Sequence, residues 1–316
     1  MHKEILFLIY LCLAITTLNA QEDVEDIHPY QGYVSIAYFA QEGQNRQTHI
    51  ARESGYDGRF FLSNQQPAMD FLLTCLLDYR QVPCTWDSEE MLLFPLALDG
   101  GEETHIPMRT PPLSDDFHDF LVMAIANPYS EDLSEHYRIS TDLNYLYGSR
   151  LLFVPQALAT DTIYHDPIDS WIDGEAEYTI AFEGVIQTID EDRTALQAWM
   201  TAEAQAEEWL EYYIHIGAHP NGTQNRFAVM AFLDYEQIPI DGEDQWVLYA
   251  DMLPGTQATV PARLQAPEEP GIYELMLIYV YNPFSMLEEP ALGDNRRATP
   301  IIDGAYATIR TAIVVR

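Results

Sequence analysis

The chain has 316 residues, and its 50 Asp and Glu against 15 Lys and Arg give a formal net charge of −35. Phosphate backbones and anionic membrane surfaces repel such a protein, so the composition excludes nucleic acid as a partner and favours cationic or metal-bridged partners. The length corresponds to about two domains, and a hydrophobic content of 47% lets each domain bury a core of its own.

The first twenty residues have the pattern of a secretory signal peptide. Lys3 supplies a positive charge, and residues 5–18 (ILFLIYLCLAITTL) form an apolar run. This run is shorter than the roughly 20 residues that a membrane-spanning helix needs, and the small Ala20 provides a cleavage position. We therefore expect residues 1–20 to be removed, and the mature protein to be secreted, periplasmic or associated with the cell surface, with no integral membrane segment.

The remaining sequence contains an internal duplication. FLLTCLLDYRQVP (71–83) matches FAVMAFLDYEQIP (227–239) at an offset of 156, and DFLVMAIANPYS (119–130) matches ELMLIYVYNPFS (274–285) at an offset of 155. Between these blocks GEETHIPMR matches GTQATVPAR, and after them RLLFV matches RTAIVV. Blocks repeated in one order predict two homologous domains. The predicted domains are residues 28–155 and 176–316, and residues 156–175 are the predicted linker between them.

The repeated blocks have the composition of β-strands. Val, Ile, Phe and Tyr fill the long apolar runs, and Asn-Pro ends them because proline cannot continue a strand ladder. Turn-forming pairs such as Asp-Gly and Asn-Gly recur between the runs. The sequence therefore predicts an all-β fold of two tandem immunoglobulin-like (fibronectin-type-III-like) β-sandwiches. One alanine-rich segment, residues 194–210, is predicted to form a short helix.

The mature chain has two cysteines, Cys75 and Cys84, which flank the LDYRQV hairpin. A four-residue loop over 78–81 would place them opposite each other, and an exported protein meets an oxidising environment. We predict a disulfide, with two buried thiols as the alternative. The second copy has Ala231 and Ile240 at these positions, so both cysteines are absent there together.

Enzyme and cofactor motifs are missing from the sequence. It has no GxSxG, HExxH, P-loop or GxGxxG pattern, so we predict that the protein is not an enzyme. Clustered carboxylates are what calcium prefers, and solvated turns are the alternative for such clusters in an acidic chain. No cofactor is predicted apart from calcium, for which the candidate ligands are Asp115, Asp116, Asp119, Asp241 and Asp244.

Aromatic residues supply candidates for contact with a ligand. Tyr129 and Phe284 follow the two Asn-Pro pairs and are candidate loop contacts. Exposed aromatic rings can stack on sugars, whereas buried ones are ordinary core residues of a sandwich. The tryptophans considered in this way are Trp86, Trp171, Trp199, Trp209 and Trp246.

The blocks occur in a fixed order in each copy: the LDYRQVP (77–83) or LDYEQIP (233–239) hairpin, a Gly-led block, and a long strand such as PGIYELMLIY (270–279). This order resembles that of the bacterial cell-adhesion-related β-sandwich domains, which are immunoglobulin-like modules of exported proteins. The resemblance implies no catalytic residues.

These observations predict an exported, non-enzymatic binding, adhesion or scaffold protein. Its partner would be another exported or cell-surface protein, met through sandwich loops or strand edges. The alternative is a carbohydrate-binding protein, assisted by calcium, with a glycan as the partner.

Overall fold

The computed structural model confirms the all-β prediction. No helix occurs among the residues that it describes, and hence none that could span a membrane. The predicted signal peptide, Tyr129 and Trp199 lie outside the described residues. The structure describes residues 34–40, 50–51, 55–128, 146–154, 168, 170–174, 176–177, 183–189, 191, 201–218, 220, 226–285, 287–288, 300–301 and 305–316.

The first half of the chain forms two sheets. Its strands are β1 (Val34–Ala40), β2 (Ile50–Ala51), β3 (Asp57–Asn64), β4 (Met69–Leu77), β5 (Arg80–Val82), β6 (Cys84–Trp86), β7 (Glu89–Met91), β8 (Leu93–Leu98), β9 (Glu102–Arg109), β10 (His118–Ala126) and β11 (Leu146–Phe153). The first outer sheet has the strand order β1-β3-β9-β6-β7, and the first inner sheet has the order β2-β11-β10-β4-β5, with β8 also paired to β4.

The second half also forms two sheets. Its strands are β12 (Ile172–Asp173), β13 (Ala176–Glu177), β14 (Gly184–Thr188), β15 (Thr201–Ala204), β16 (Trp209–Gly217), β17 (Arg226–Leu233), β18 (Glu236–Ile238), β19 (Leu248–Asp251), β20 (Thr256–Gln265), β21 (Gly271–Tyr281), β22 (Leu287–Glu288), β23 (Pro300–Ile301), β24 (Ala305–Ala307) and β25 (Thr311–Val315). The second inner sheet has the order β12-β19-β17-β21-β25-β15, with β18 paired to β17 and β24 to β21, and the second outer sheet has the order β13-β20-β16-β14. Strands β22 and β23 pair in a separate two-stranded sheet.

Both halves have the strand order of immunoglobulin-like sandwiches. In the first half β1-β3-β9 faces β11-β10-β4, and in the second β14-β16-β20 faces β25-β21-β17. These orders correspond to strands A-B-E and G-F-C of the immunoglobulin fold. A short strand also runs parallel to the last strand in each half, β2 beside β11 and β15 beside β25. The end of the predicted linker belongs to the second sandwich, because β12 pairs with β19.

The four sheets stack so that the two inner sheets pack against each other. In β10, the side chains of Phe120 and Val122 fill the core of the first sandwich, while those of Leu121 and Met123 face the second half. In the second inner sheet β17 and β21 are divided in the same way between their own sandwich and the junction. Burial on both faces explains why these strands are continuous apolar runs without polar alternation.

The helix prediction is wrong over residues 201–210. Thr201–Ala204 form β15, which runs parallel to β25, and Trp209 begins β16, which pairs with β20. Sheet pairing supplies hydrogen bonds and buries Ala202 and Ala204 in the core, which outweighs the high helix propensity of alanine. The remaining part of the predicted helix, residues 194–200, lies outside the described residues.

The LDY hairpin has a tighter turn than the sequence suggested. Leu77 pairs with Arg80 and Cys75 with Val82, so the loop is two residues long and the predicted four-residue loop is wrong. Asp78 and Tyr79 have φ values of 49° and 65°, and two positive φ values make the type I′ turn that matches the twist of the flanking strands. Cys84 therefore lies beyond the hairpin, in β6 of the first outer sheet.

In this arrangement the disulfide of Cys75 and Cys84 joins the inner to the outer sheet, with Cα atoms 6.4 Å apart. We expect non-reducing mass spectrometry to find the two residues linked. Replacing both with serine should lower the free energy of unfolding by about 2–3 kcal/mol, because the bridge closes only a short loop of the unfolded chain. Dithiothreitol should destabilise the native protein and leave the double variant unchanged. Two free thiols in freshly exported protein would contradict the prediction.

Candidate functional site

The junction between the halves contains a buried charged cluster of Tyr79, Asp119 and Arg150. The side chains of Asp119 and Arg150 are both 0% exposed and form a direct ion pair. Arg150 Nε donates to Asp119 Oδ1 at 3.1 Å, and the Tyr79 hydroxyl donates to Asp119 Oδ2. Burial raises the pKa of the Tyr79 hydroxyl well above its usual range, so it remains a neutral donor.

Backbone groups of the second half complete the hydrogen bonds of this cluster. Arg150 Nη1 donates to the carbonyl oxygen of Tyr281 at 3.1 Å, and Nη2 to that of Asn282 at 3.3 Å. The Phe284 amide donates to Asp119 Oδ2 at 3.0 Å and lies 3.2 Å from the Tyr79 hydroxyl. The buried charges therefore hold the Asn-Pro loop that follows β21 against the first half.

The second half has the corresponding cluster of Tyr235, Glu274 and Arg310. Arg310 Nε lies 3.2 Å from Glu274 Oε1, and the Tyr235 hydroxyl lies 2.9 Å from Glu274 Oε2. The same hydroxyl contacts the carbonyl oxygen of Pro128, in the Asn-Pro loop of the first half. The clusters were missed by sequence reasoning, although tyrosine, acid and arginine stand at matching positions of the repeated blocks.

A cleft of about 480 Å³ opens beside the first cluster and takes its walls from both halves. Its wall includes two aromatic rings in contact, Tyr249 and Phe284, whose centroids lie 6.4 Å apart. Asp78 supplies a carboxylate. The lining residues are Asp78, Phe117, Ile168, Ser170, Ile172, Gln245, Val247, Leu248, Tyr249 and Phe284.

At the rim of this cleft Ser114, His118 and Asp78 are arranged at the distances of a serine hydrolase relay. Ser114 Oγ is 2.9 Å from His118 Nε2, and His118 Nδ1 is 2.7 Å from Asp78 Oδ2. Sequence reasoning could not place such a triad, because the β4–β5 turn brings Asp78 to the start of β10 only in the folded protein. Asp78 also accepts the backbone N–H of Asp119 at 2.9 Å.

The hydrogen-bond partners of Ser114 do not suit a nucleophile. The Ser114 hydroxyl donates to Asp116 Oδ2 at 2.9 Å, and its oxygen also lies 2.9 Å from His118 Nε2. With the Asp78 carboxylate at Nδ1, these contacts match a protonated imidazole that donates from both ring nitrogens. Asp78, not Ser114, lines the cleft. The arrangement is an ionic contact in which His118, at the start of β10, joins Asp78 of the LDY turn to Ser114 of the preceding loop.

We expect this ionic contact to make the stability of the protein depend on pH. The hydrogen bond to Asp78 raises the pKa of His118 above its unfolded value of about 6.5, outweighing the burial of the ring. The stabilisation should be fully present below that unfolded value and be lost as the pH rises through the higher folded value. Urea unfolding at a series of pH values should show this loss in the native protein. In the His118→Gln variant that step should be absent, and an unchanged profile would contradict the assignment.

The predicted calcium ligands do not form a common site. Asp119 is wrong as a candidate, because Arg150 and Tyr79 occupy its buried carboxylate. Asp241 Oδ1 accepts the backbone N–H groups of three following residues, and although burial alone would raise its pKa, these bonds lower it. Asp115, Asp116 and Asp244 are exposed. Among the described residues no three His, Cys, Asp or Glu side chains converge to hold a metal ion.

The aromatic candidates are largely engaged in packing. Phe284 is wrong as an exposed loop contact, because it is 3% exposed and packs at the junction. Trp86 is fully buried and stacks on Phe94. The other described tryptophans each carry a guanidinium group over one ring face: Arg80 over Trp246 at 4.1 Å, Arg226 over Trp171 at 4.9 Å, and Arg263 over Trp209 at 4.8 Å.

A partly exposed aromatic patch lies on the outward face of the first outer sheet. The ring of His105 contacts those of Phe39 at 5.1 Å and Phe61 at 5.0 Å. Phe39 belongs to β1, which pairs with β3 on one side and with no other strand of the described residues on the other. The patch therefore adjoins a sheet edge.

No protein-family model matches the chain, and no curated protein matches it. Among solved structures, red sea bream transglutaminase has 10% identity and a TM-score of 0.23, with 92% of this chain spanning only 32% of the enzyme. The CARDB domain of the PF1109 protein from Pyrococcus furiosus, in complex with di-metal ions, has 8% identity and a TM-score of 0.23 over 45% of this chain and 94% of that domain. The CsuC–CsuE chaperone–tip adhesion subunit complex of Acinetobacter baumannii has 10% identity and a TM-score of 0.21 over 84% and 94% of the respective chains. TM-scores of this size support no functional conclusion.

Proposed function

We propose that the protein is an exported, non-enzymatic binding or scaffold protein made of two duplicated immunoglobulin-like domains, residues 28–155 and 176–316. The observation that carries the proposal is the junction, where the inner sheets share a buried core. Side chains from β4 and β10 pack there against side chains from β17 and β21. A continuous core would hold the two proposed domains in one orientation, which supports a spacer or platform more than a hinge that opens for catalysis.

The surface proposed to meet the partner is the edge of the first outer sheet. Among the described strands β1 pairs only with β3, so its other side is the proposed place for an added strand, and the Phe39–Phe61–His105 patch offers apolar contact beside it. The occupant we propose is an extended segment of another exported or cell-surface protein. Its flanks should be basic, because the net charge of −35 attracts cations over the whole surface.

Photo-crosslinking tests this function. A benzophenone amino acid replaces Phe39 on the β1 edge, or Tyr213 as the control, since Tyr213 is also half-buried on an outer sheet but pairs on both sides. After illumination with the native envelope fraction, we expect a discrete adduct from position 39 and none from position 213. Ser35→Lys, on the same face of β1 as Phe39, should abolish the adduct, because a charge on an edge strand prevents strand addition. Equal labelling at both positions, or an adduct that survives Ser35→Lys, would overturn the proposal.

Two assays address the competing functions. A glycan array with and without chelator tests the carbohydrate-binding alternative, and a clear sugar signal would replace the scaffold proposal. A fluorophosphonate probe tests Ser114 as a nucleophile, with Ser114→Ala as the control. We expect equal, background labelling of both proteins, because the hydroxyl proton of Ser114 is directed to Asp116. Labelling that depends on Ser114 would establish an enzyme.

A further inference from the structure

The contacts across the junction are reciprocal at its centre. The Gln81 amide N–H donates to Gln237 Oε1 at 2.7 Å, and the Gln237 amide N–H donates to Gln81 Oε1 at 2.7 Å. Gln81 Nε2 donates to the carbonyl oxygen of Tyr235 at 2.9 Å, and Gln237 Nε2 donates to that of Tyr79 at 2.9 Å. Gln81 therefore makes the same contacts to the second half as Gln237 makes to the first half.

The reciprocity continues away from the centre. Tyr79 reaches the loop of the second half at Phe284, while Tyr235 reaches the loop of the first half at Pro128. Each tyrosine is bound to an acid at the start of the long strand of its own half, Asp119 or Glu274. The turns that carry the tyrosines share the same geometry, since Asp234 and Tyr235 have φ values of 47° and 70°.

A surface that meets an equivalent surface with exchanged contacts is isologous, which is the geometry of a two-fold symmetric homodimer. We propose that the junction is an isologous dimer interface held within one chain, and that the partner its face fits is a second copy of the same half. The inference rests on the duplication in the proposed function. It adds that each half can pair with its own kind, as first·first and second·second pairs.

The full chain, nicked between its halves, tests the proposal. A protease site is inserted after Ala159, in the predicted linker, and the purified protein is cleaved. Isotopically heavy and light samples are mixed, brought to partial dissociation with urea, returned to buffer and examined by native mass spectrometry. We expect heavy–light first·second pairs together with first·first and second·second pairs.

A substitution makes the test quantitative. Gln81→Ala removes one amide side chain from a first·second pair and two from a first·first pair. If it lowers the association constant of first·second pairs by a given factor, that of first·first pairs should fall by the square of that factor, and that of second·second pairs should not change. Gln265→Ala is the control, because that side chain is exposed and bonds within the second half; it should change none of the yields.

Three results would overturn the proposal: separation of the halves upon cleavage, failure to pair again after urea, or reformed first·second pairs without like pairs. The appearance of exchanged first·second pairs shows in the same spectrum that both halves remain competent to pair, so missing like pairs are then informative. The readout involves no external partner. It can therefore fail while the binding function stands, and the crosslinking test can fail while the like pairs form.

Discussion

Replacing Arg150 with methionine is expected to lower the free energy of unfolding by about 3–5 kcal/mol. The substitution leaves the carboxylate of Asp119 buried and without its counter-charge, since both side chains are 0% exposed. The backbone carbonyls of Tyr281 and Asn282 also lose their donor. Equilibrium urea unfolding followed by circular dichroism measures the change. We expect the loss to appear in both halves, because the cluster belongs to their common junction.

Two further variants separate burial from charge. Arg109→Met removes an ion pair with Asp57 whose side chains are 61% and 49% exposed, and it should cost less than about 1 kcal/mol. The double variant Asp119→Leu/Arg150→Met removes both buried charges and should recover part of the lost stability, because no charge is left without its partner. The recovery should be incomplete, because the Tyr79 hydroxyl and the Phe284 amide lose their acceptor. If Arg150→Met behaved like Arg109→Met, the pair would not be buried in solution.

The sandwich architecture could be predicted because its signals are local. Apolar runs such as FLVMAIA, residues 120–126, end at Asn-Pro, and their repetition in the second copy marks both as strands. The same runs also lack the polar alternation of surface strands. A strand at the surface of a sandwich alternates with polar residues, whereas β10 and β17 are buried on both faces, as strands covered by a second layer must be. The absence of alternation thus indicates a partner sheet, though it cannot say which sheet.

The junction itself could not be predicted, because its contacts join residues that are far apart in the sequence. Its place in an acidic stretch makes Asp119 a predicted calcium ligand, and only the fold shows that β11 places Arg150 against it. The predicted four-residue loop of the LDY hairpin would place Cys75 and Cys84 opposite each other across that hairpin. The left-handed conformations of Asp78 and Tyr79 shorten the turn to two residues, and the cysteines meet between sheets instead.

Replacing Phe284 with alanine should also have a large effect, for reasons of packing instead of charge. The ring is 3% exposed and contacts Tyr79 and Tyr249, with centroids 5.1 and 6.4 Å away. Truncating a buried phenylalanine removes its burial and leaves a cavity, which costs about 3–5 kcal/mol. Leu253→Ala is the control, because Leu253 is 67% exposed and its truncation should change stability by less than about 0.5 kcal/mol.

Hydrogen exchange in the Phe284→Ala variant measures which strands lose amide protection. The residue belongs to the second half, yet the core around it includes Leu121, Met123 and Ile125 of β10 in the first half. If the junction is one cooperative core, amide protection along β10 should fall together with protection along β21, since both strands lose the same packing partner. Loss of protection confined to β21 would mean that the halves unfold independently, and that a stiff two-domain platform is the wrong description of this protein.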